Sequence, residues 1–161
     1  MRAQKTPFDI RYRVVPCTAA EVLTFHSQRK ELIPAIPGCV IGPVFVIGFK
    51  DVGPAFVLGG GAQIQVKYNN TAKTPVVTVP AIGFLDIATA TSVYAATLGV
   101  AIASGNEANA ADVAGKSLVS GTNGNVDYTS GGSPIVLVLA YRIIPITGFR
   151  FAALTDTGRP R

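Results

Sequence analysis

The side chains that could do chemistry are few and far apart in this chain. The single histidine, His26, would have to serve in any Ser-His-Asp or Cys-His arrangement, and it lies in the polar stretch TFHSQRKE. Cys17 and Cys39 stand on either side of it with the spacing C-x8-H-x12-C, which matches no zinc-binding pattern. We therefore interpret His26 as a surface or structural residue and the two cysteines as buried thiols of a protein made in a reducing cytosol.

The carboxylates and glycines offer no clear catalytic motif either. Acidic residues occur singly, so a glycosidase-like pair would require two distant residues, such as Asp51 and Asp86, to meet in the folded chain. The glycine triplet at 59–61 lacks the Lys-Ser/Thr of a phosphate-binding loop and precedes a strand, which indicates a turn. The sequence therefore predicts a protein that is not an enzyme and uses no cofactor, metal or small-molecule substrate, with a hydrolase as the remaining alternative.

Charge is scarce in this chain and is concentrated at its two ends. Charged residues make up 14% of the sequence, against roughly 25% in an average soluble domain, while apolar residues make up 48%. Residues 1–15 and residues 142–161 each carry four basic residues and one acidic residue, whereas residues 16–141 hold six basic and seven acidic ones. The net charge of +5 therefore belongs to the ends. A weakly charged middle of this kind indicates a surface that other protein subunits cover.

The elements that must position these residues are mostly strands. Residues 63–68 alternate between apolar and polar, which predicts a half-buried strand, and the apolar run 134–144 predicts a central one. Pro43 suggests that the strand at 40–49 is an edge strand or contains a bulge. Turn residues dominate 122–133, which we interpret as a long hairpin loop. Shorter strands are predicted at 76–80 and at 98–103 or 115–121.

Two segments favour helix over strand. Thr18 and Glu21 have the spacing of a capping box, which predicts a short helix over residues 18–25. Residues 83–98 are the best candidate for a further short helix, because Phe84 and Ile87 would share one of its faces. Together the elements predict an all-β sandwich with one or two short helices.

The basic ends are predicted to be extended arms on this sandwich. We assign residues 1–16 to an N-terminal arm that extends away from the core and adds a strand at 10–15, residues 17–144 to the sandwich, and residues 145–161 to a C-terminal tail. Spaced arginines and aromatic residues suit docking along an acidic protein surface, where guanidinium groups pair with carboxylates. The predicted partner-binding residues are Arg2, Lys5, Phe8, Arg11, Tyr12, Arg13, Arg150, Phe151, Arg159 and Arg161.

Nucleic acid and membranes are weaker candidates as partners. The same arginines and aromatic residues could contact phosphates and bases, so a nucleic-acid-binding protein remains an alternative. The basic residues are spaced, however, and the middle of the chain offers no basic stripe. The longest apolar run, 134–141, is far shorter than the roughly 20 residues of a membrane-spanning helix. We also expect no signal peptide, because polar residues follow Met1 and Arg2.

Six segments carry a resemblance to a known family. They are TAAEVLTFHSQRKELIPAIPG (18–38), VIGPVFVIGFKDVGPAF (40–56), AQIQVKYNNT (62–71), GFLDIATA (83–90), NEANAADVAGKSLVSG (106–121) and SPIVLVLAYRII (133–144). Together they span residues 18–144 and resemble a family of small virion structural proteins of tailed bacteriophages. The chain departs from that family where Cys39 and Val40 replace a frequent Gly-Lys, and in its two basic ends.

The resemblance implies a fold and a function. It implies a jelly-roll-like antiparallel β-sandwich and a cement, or decoration, protein that stabilises the phage head by bridging neighbouring major capsid proteins. Such a protein would be synthesised in the host cytoplasm, would reside on the capsid surface of the virion and would act as a homotrimer. A component of the phage tail, neck or head fibre is the alternative within the family. No catalytic residues come with the resemblance.

Overall fold

The computed structural model describes residues 9–69, 75–97, 113–124 and 126–146. In these ranges eight strands form two four-stranded antiparallel sheets, which confirms the predicted all-β sandwich, and a short helix follows the first strand. In chain order the elements are β1 (Arg11–Cys17), α1 (Ala19–Leu23), β2 (Glu31–Ile33), β3 (Cys39–Lys50), β4 (Gln63–Tyr68), β5 (Pro75–Pro80), β6 (Ser92–Thr97), β7 (Leu118–Thr122) and β8 (Ile135–Pro145).

The strands pair in a nested order. Sheet A has the order β1-β8-β3-β6, and sheet B has the order β2-β7-β4-β5. The first strand therefore pairs with the last, β2 with β7, β3 with β6, and β4 with β5. Only β4 and β5 are neighbours both in sequence and in a sheet, so almost every connection crosses from one sheet to the other.

The core lies between the two sheets. The strand β4 alternates as predicted, since Ile64, Val66 and Tyr68 are all buried. The Tyr68 hydroxyl crosses the core and donates a hydrogen bond to the Ile41 carbonyl oxygen of sheet A at 2.6 Å. On the polar face of β4 the structure differs from a simple alternation, because Lys67 is also buried. Its ammonium group reaches a backbone carbonyl while its aliphatic stem covers apolar surface, which makes its burial tolerable.

The helix α1 begins with the capping box that the sequence predicts. The Glu21 backbone N–H donates to the Thr18 hydroxyl at 3.3 Å, and the Thr18 backbone N–H donates to the Glu21 carboxylate at 2.8 Å. The helix is shorter than predicted and is fixed by burial of Val22 and Phe25. Lys30 forms an ion pair with Glu21 at 2.6 Å and so ties the helix to the start of β2.

The helix predicted over residues 83–98 is wrong. This part of the chain forms a turn and then the strand Ser92–Thr97. The spacing of its apolar residues serves tertiary packing instead, because the Phe84 ring covers Gly48 of β3 so closely that a Cβ there would lie 2.7 Å from the ring. The Ser92 hydroxyl donates to the Phe84 carbonyl oxygen at 2.8 Å and holds the turn against the strand.

Some of the other predictions about strands are confirmed and some are wrong. The bulge at Pro43 is confirmed, since the register with β8 shifts between Pro43 and Phe45, but the edge position is wrong because β3 lies between β8 and β6. The central position of β8 and the strand within 115–121 are confirmed, while residues 98–103 lie outside the described residues. Residues 122–133 are not a hairpin loop, because the strands that they join belong to different sheets.

The structure also corrects the boundary of the predicted N-terminal arm. Residues 11–16 do not extend away from the sandwich but belong to β1, which pairs with β8 from Arg11 opposite Tyr141 to Cys17 opposite Ile135. The strand expected at 10–15 is thus confirmed as an edge of sheet A. Residues 1–8 of the predicted arm and residues 147–161 of the predicted tail lie outside the described residues.

Candidate interaction face

Sheet A has an apolar side that faces away from the core. Along its strands, residues such as Val15, Leu137 and Val46 are buried against sheet B, so the residues between them point outward. Toward its end the same side of β8 carries the exposed Arg142, at the rim of an apolar patch. The patch is made of three rows across the strands: Pro16, Val136, Phe49 and Val93; Val14, Val138, Ile47 and Ala95; and Tyr12, Ala140 and Phe45. We call these eleven residues the outer face of sheet A. None of them is charged, and only Tyr12 carries a polar atom in its side chain.

The outer face of sheet A leaves large apolar side chains in contact with water. Tyr12 is 64% exposed, Val14 63% and Val93 60%. Four strands about 4.8 Å apart and three rows about 6.8 Å apart give the face a projected area of about 400 Å². A continuous apolar patch of this size is comparable to the largest patch on a typical monomer, and such patches are often binding sites.

The opposite side of the sandwich is mixed, because polar residues alternate there with the half-buried Val76 and Pro80. On sheet B the outward residues of β4 and β5 include Gln63, Gln65 and Thr78, all half-buried. Lys67 lies across Gly121 on the neighbouring strand, where its ammonium group donates to the Thr122 carbonyl oxygen at 2.9 Å. The difference between the two sides identifies sheet A, and not the sandwich as a whole, as the candidate interaction face.

Three of the predicted partner-binding residues lie in the described part of the chain, and the structure separates them. Tyr12 belongs to the outer face of sheet A. Because side chains alternate along a strand, Arg11 and Arg13 point to the other side of β1, where Arg11 is exposed and Arg13 half-buried. The predicted basic and aromatic set therefore does not form one surface within β1. The other predicted residues lie outside the described residues: Arg2, Lys5, Phe8, Arg150, Phe151, Arg159 and Arg161.

Sequence reasoning missed most residues of this face. Their signal was present, because β3 carries apolar residues on both of its sides from Phe45 to Phe49. On β1 the alternation Tyr12, Val14 also indicates a second apolar side, next to Val15 and Cys17 in the core. Apolar residues on both sides of several neighbouring strands in a sandwich indicate that one of the two sides is a candidate for contact with something other than the opposite sheet.

Among the residues considered for chemistry, His26 contributes to the fold through its backbone. The backbone N–H groups of His26 and Ser27 donate to the Asp127 carboxylate at 2.9 and 3.0 Å. Burial raises the pKa of Asp127, but hydrogen bonds from the Ser27 side chain and from these two backbone N–H groups outweigh that effect, so the pKa lies below its ordinary value. The contact fastens the connection between β7 and β8 to the end of α1. Within the described ranges, no three His, Cys, Asp or Glu side chains are grouped so that they could hold a metal ion.

Both cysteines are free thiols, but they differ in burial. Cys17 is buried as predicted, and desolvation raises its pKa to about 11, which keeps it protonated and unreactive at neutral pH. Cys39 is half-buried, so the prediction of a buried thiol is wrong at that position. It lies at the start of β3, where the strand pairs with Pro145 at the end of β8 and the sheet no longer covers it completely.

A buried lysine closes one end of the core. Lys50 is 1% exposed, and its ammonium group donates to the carbonyl oxygens of Ile87 at 2.6 Å and Asp51 at 3.2 Å. Burial lowers its pKa, and the charge of Asp51 partly offsets this effect. The two hydrogen bonds attach the end of β3 to the segment that precedes β6, so we interpret Lys50 as a structural residue.

Comparisons with protein-family models, curated proteins and solved structures find no match to this chain. The resemblance to virion proteins of tailed phages therefore stays a prediction. In the part of the chain that the structure describes, no helix is both long and apolar enough to cross a membrane.

Proposed function

We propose that this protein is a capsid cement protein of a tailed bacteriophage, which stabilises the head by bridging neighbouring major capsid proteins. The observation that carries the proposal is the outer face of sheet A. It places Tyr12, Val14 and Val93 in water on a face without charge, and such a face is stabilised when another protein subunit covers it. Of the features in the described part of the chain, this face is the one that assembly with other subunits explains best.

The fold that we propose for this role is a jelly roll. The nested pairing of β1 with β8, β2 with β7, β3 with β6 and β4 with β5 supports it, because a jelly roll is a long hairpin wrapped into two sheets. Viral capsid domains use this architecture, but fold alone does not establish function. The fold is therefore support for the proposal, and the exposed face is its main argument.

The proposed mechanism is thermodynamic. A protein that binds the assembled shell but not the separate capsid subunits stabilises the shell by mass action, by about 2.7 kcal/mol per site when its free concentration is roughly 100-fold above Kd. The basic residues of 1–16 and 145–161 would contact acidic patches of the major capsid protein, and copies of the cement protein would contact one another as a homotrimer on the virion surface.

The position of Arg11 and Arg13 favours this role over nucleic-acid binding. Both arginines lie across β1 from Tyr12, so β1 presents no platform on which a base could stack beside a phosphate contact. A tail, neck or head-fibre component would use the same face and remains the alternative.

Binding to isolated phage parts tests the proposal. The purified full-length protein is mixed with heads that lack it and, separately, with isolated tails, and each mixture is sedimented. We expect the protein to sediment with heads at a fixed number of copies per particle. Because the contacts with capsid are assigned to the basic ends, a variant that lacks residues 1–8, and so leaves β1 intact, should bind more weakly. Binding to tails alone, or to neither part, would contradict the cement role.

A further inference from the structure

We infer that the outer face of sheet A is covered by a second copy of this chain and not by the capsid protein. The inference rests on the proposed assembly function and names the partner of this one face. The basic ends are then left to contact the capsid, so the two kinds of contact belong to different parts of the molecule.

The charge of the two candidate partner surfaces favours a second copy of this chain over the capsid protein. The capsid surface that suits the basic ends is acidic, but the three rows of the outer face of sheet A contain no basic residue that could pair with a carboxylate, and Arg142 of β8 lies beyond Ala140 at the rim. Carboxylates brought against Val14 and Val138 would lose their hydration without gaining a partner, which is unfavourable. A second copy brings an uncharged apolar surface, and residues 16–141 carry six basic and seven acidic residues, so the two bodies do not repel strongly.

The size of the face suits such a contact. Its projected area is about 400 Å², and the true accessible area of a corrugated sheet surface is larger. Two surfaces of this size together approach the roughly 1,000 Å² that a stable biological interface needs. Interfaces between identical subunits are also the most apolar class, as this face requires.

Large and small side chains on the outer face of sheet A give it a shape that allows close packing. Ala95 is small and exposed beside the bulkier Ile47 and Phe49 of β3, so a side chain of a facing surface can fill this low position. A two-fold arrangement would place the face against itself. A closed three-fold arrangement, as in the proposed trimer, would place the face of each copy against a different surface of the next, which would have to be apolar as well.

The experiment measures self-association of the full chain in the absence of phage particles. Sedimentation equilibrium compares the wild type with the double variant Val14→Glu, Val93→Glu and with the matched control Val57→Glu, Ile82→Glu, which changes two exposed apolar residues outside the face. We expect the wild type and the control to be oligomeric, and association of the face variant to weaken at least tenfold. A wild type that stays monomeric at about 100 μM, or equal weakening in both variants, would overturn the inference.

A second measurement covers the case in which the face variant does not fold. Hydroxyl-radical labelling of the wild type is compared at concentrations below and above the association midpoint. Labelling of Tyr12 and Phe49 should fall on association, while that of Ile82, an exposed residue outside the face, should not change. Unchanged labelling of Tyr12 and Phe49 in the oligomer would show that another surface forms the interface.

The two proposals fail separately. A protein that associates through the outer face of sheet A but does not bind heads contradicts the cement role and leaves the self-association intact. A protein that binds heads as a monomer, with Tyr12 protected from labelling on the particle, contradicts the self-association and leaves the cement role intact.

Discussion

The rings of Tyr12 and Phe45 meet on the outer face of sheet A across an intervening strand. Their centroids are 6.1 Å apart and their planes are inclined at 54°. Between them lies Ala140 of β8, paired with both, whose single methyl group leaves room for the rings and is fully buried. Three strands of sheet A are thus joined on their solvent side by an aromatic contact.

Removing the Tyr12 ring should lower stability modestly in the isolated protomer and more in the assembly. A tilted aromatic pair contributes about 0.5–1.5 kcal/mol beyond burial of its area. We expect Tyr12→Ala to lose about 1 kcal/mol of unfolding free energy in dilute protein, with a larger fall in Tm at high concentration because association also weakens. Thermal unfolding at two protein concentrations measures both effects. Ile82→Ala, at an exposed apolar position outside the face, should change neither.

Gly48 should not tolerate a side chain, because the Phe84 ring occupies the space above it. An added Cβ would lie 2.7 Å from that ring, and overpacking of this kind costs about 1–3 kcal/mol. Urea unfolding of Gly48→Ala should show this loss, and the added change Phe84→Leu should recover part of it. Gly42→Ala on the same strand meets its nearest atom at 3.3 Å and should cost less. Equal losses at Gly42 and Gly48 would contradict the close approach of Phe84.

The Asp127 carboxylate should support stability at neutral pH and lose that effect in acid. Its pKa is held below the unfolded value of about 3.9, so its contribution is present above pH 4 and disappears as pH falls through the folded pKa. Asp127→Ala leaves the N–H groups of His26 and Ser27 without their acceptor and should cost about 1–2 kcal/mol at pH 7. Asp127→Asn keeps one oxygen and should cost less, with a flatter dependence between pH 5 and 3. Glu31→Gln, which removes an exposed carboxylate on β2, is the control.

The buried thiol of Cys17 should make the protein less stable in alkali. An unfolded thiol loses its proton near pH 9, whereas burial raises the folded pKa of Cys17 to about 11. The unfolded state alone therefore gains from deprotonation, and the unfolding free energy should fall between pH 9 and 11 by about 2–3 kcal/mol, at roughly 1.4 kcal/mol per pKa unit. In Cys17→Ala, whatever its stability at pH 7, this part of the slope should be missing. Parallel curves for the two proteins would show that other groups cause the alkaline loss.

Local patterns predicted the elements whose form depends on local interactions. The capping box of Thr18 and Glu21 fixes a helix start from a few neighbouring atoms, and the alternation in residues 63–68 reflects one buried side of one strand. The apolar spacing in residues 83–98 resembles that of a helix face. It serves tertiary packing instead, because Phe84 fills a space over Gly48, which belongs to a distant part of the chain. Such a contact overrides local preference and cannot be inferred from the segment itself.

The interaction face could be predicted only in part. The sequence indicates a covered, weakly charged surface and names Tyr12, but the face is assembled from β1, β8, β3 and β6, whose order depends on the pairing of the whole chain. Strand alternation alone would have separated Tyr12 from Arg11 and Arg13, because neighbouring residues of a strand point to opposite sides. Which of the two apolar sides of β3 meets sheet B depends on the sandwich, and not on the strand.

The temperature at which isolated heads open and release their DNA tests the cement role most directly. Heads that lack the protein are measured alone, with the wild type, and with the double variant Val14→Glu, Val93→Glu. We predict that the wild type raises the opening temperature in proportion to its occupancy. The face variant should raise it less at equal total concentration, because contacts between copies are lost. An opening temperature that stays the same at full wild-type occupancy would contradict the claim that this protein stabilises the capsid.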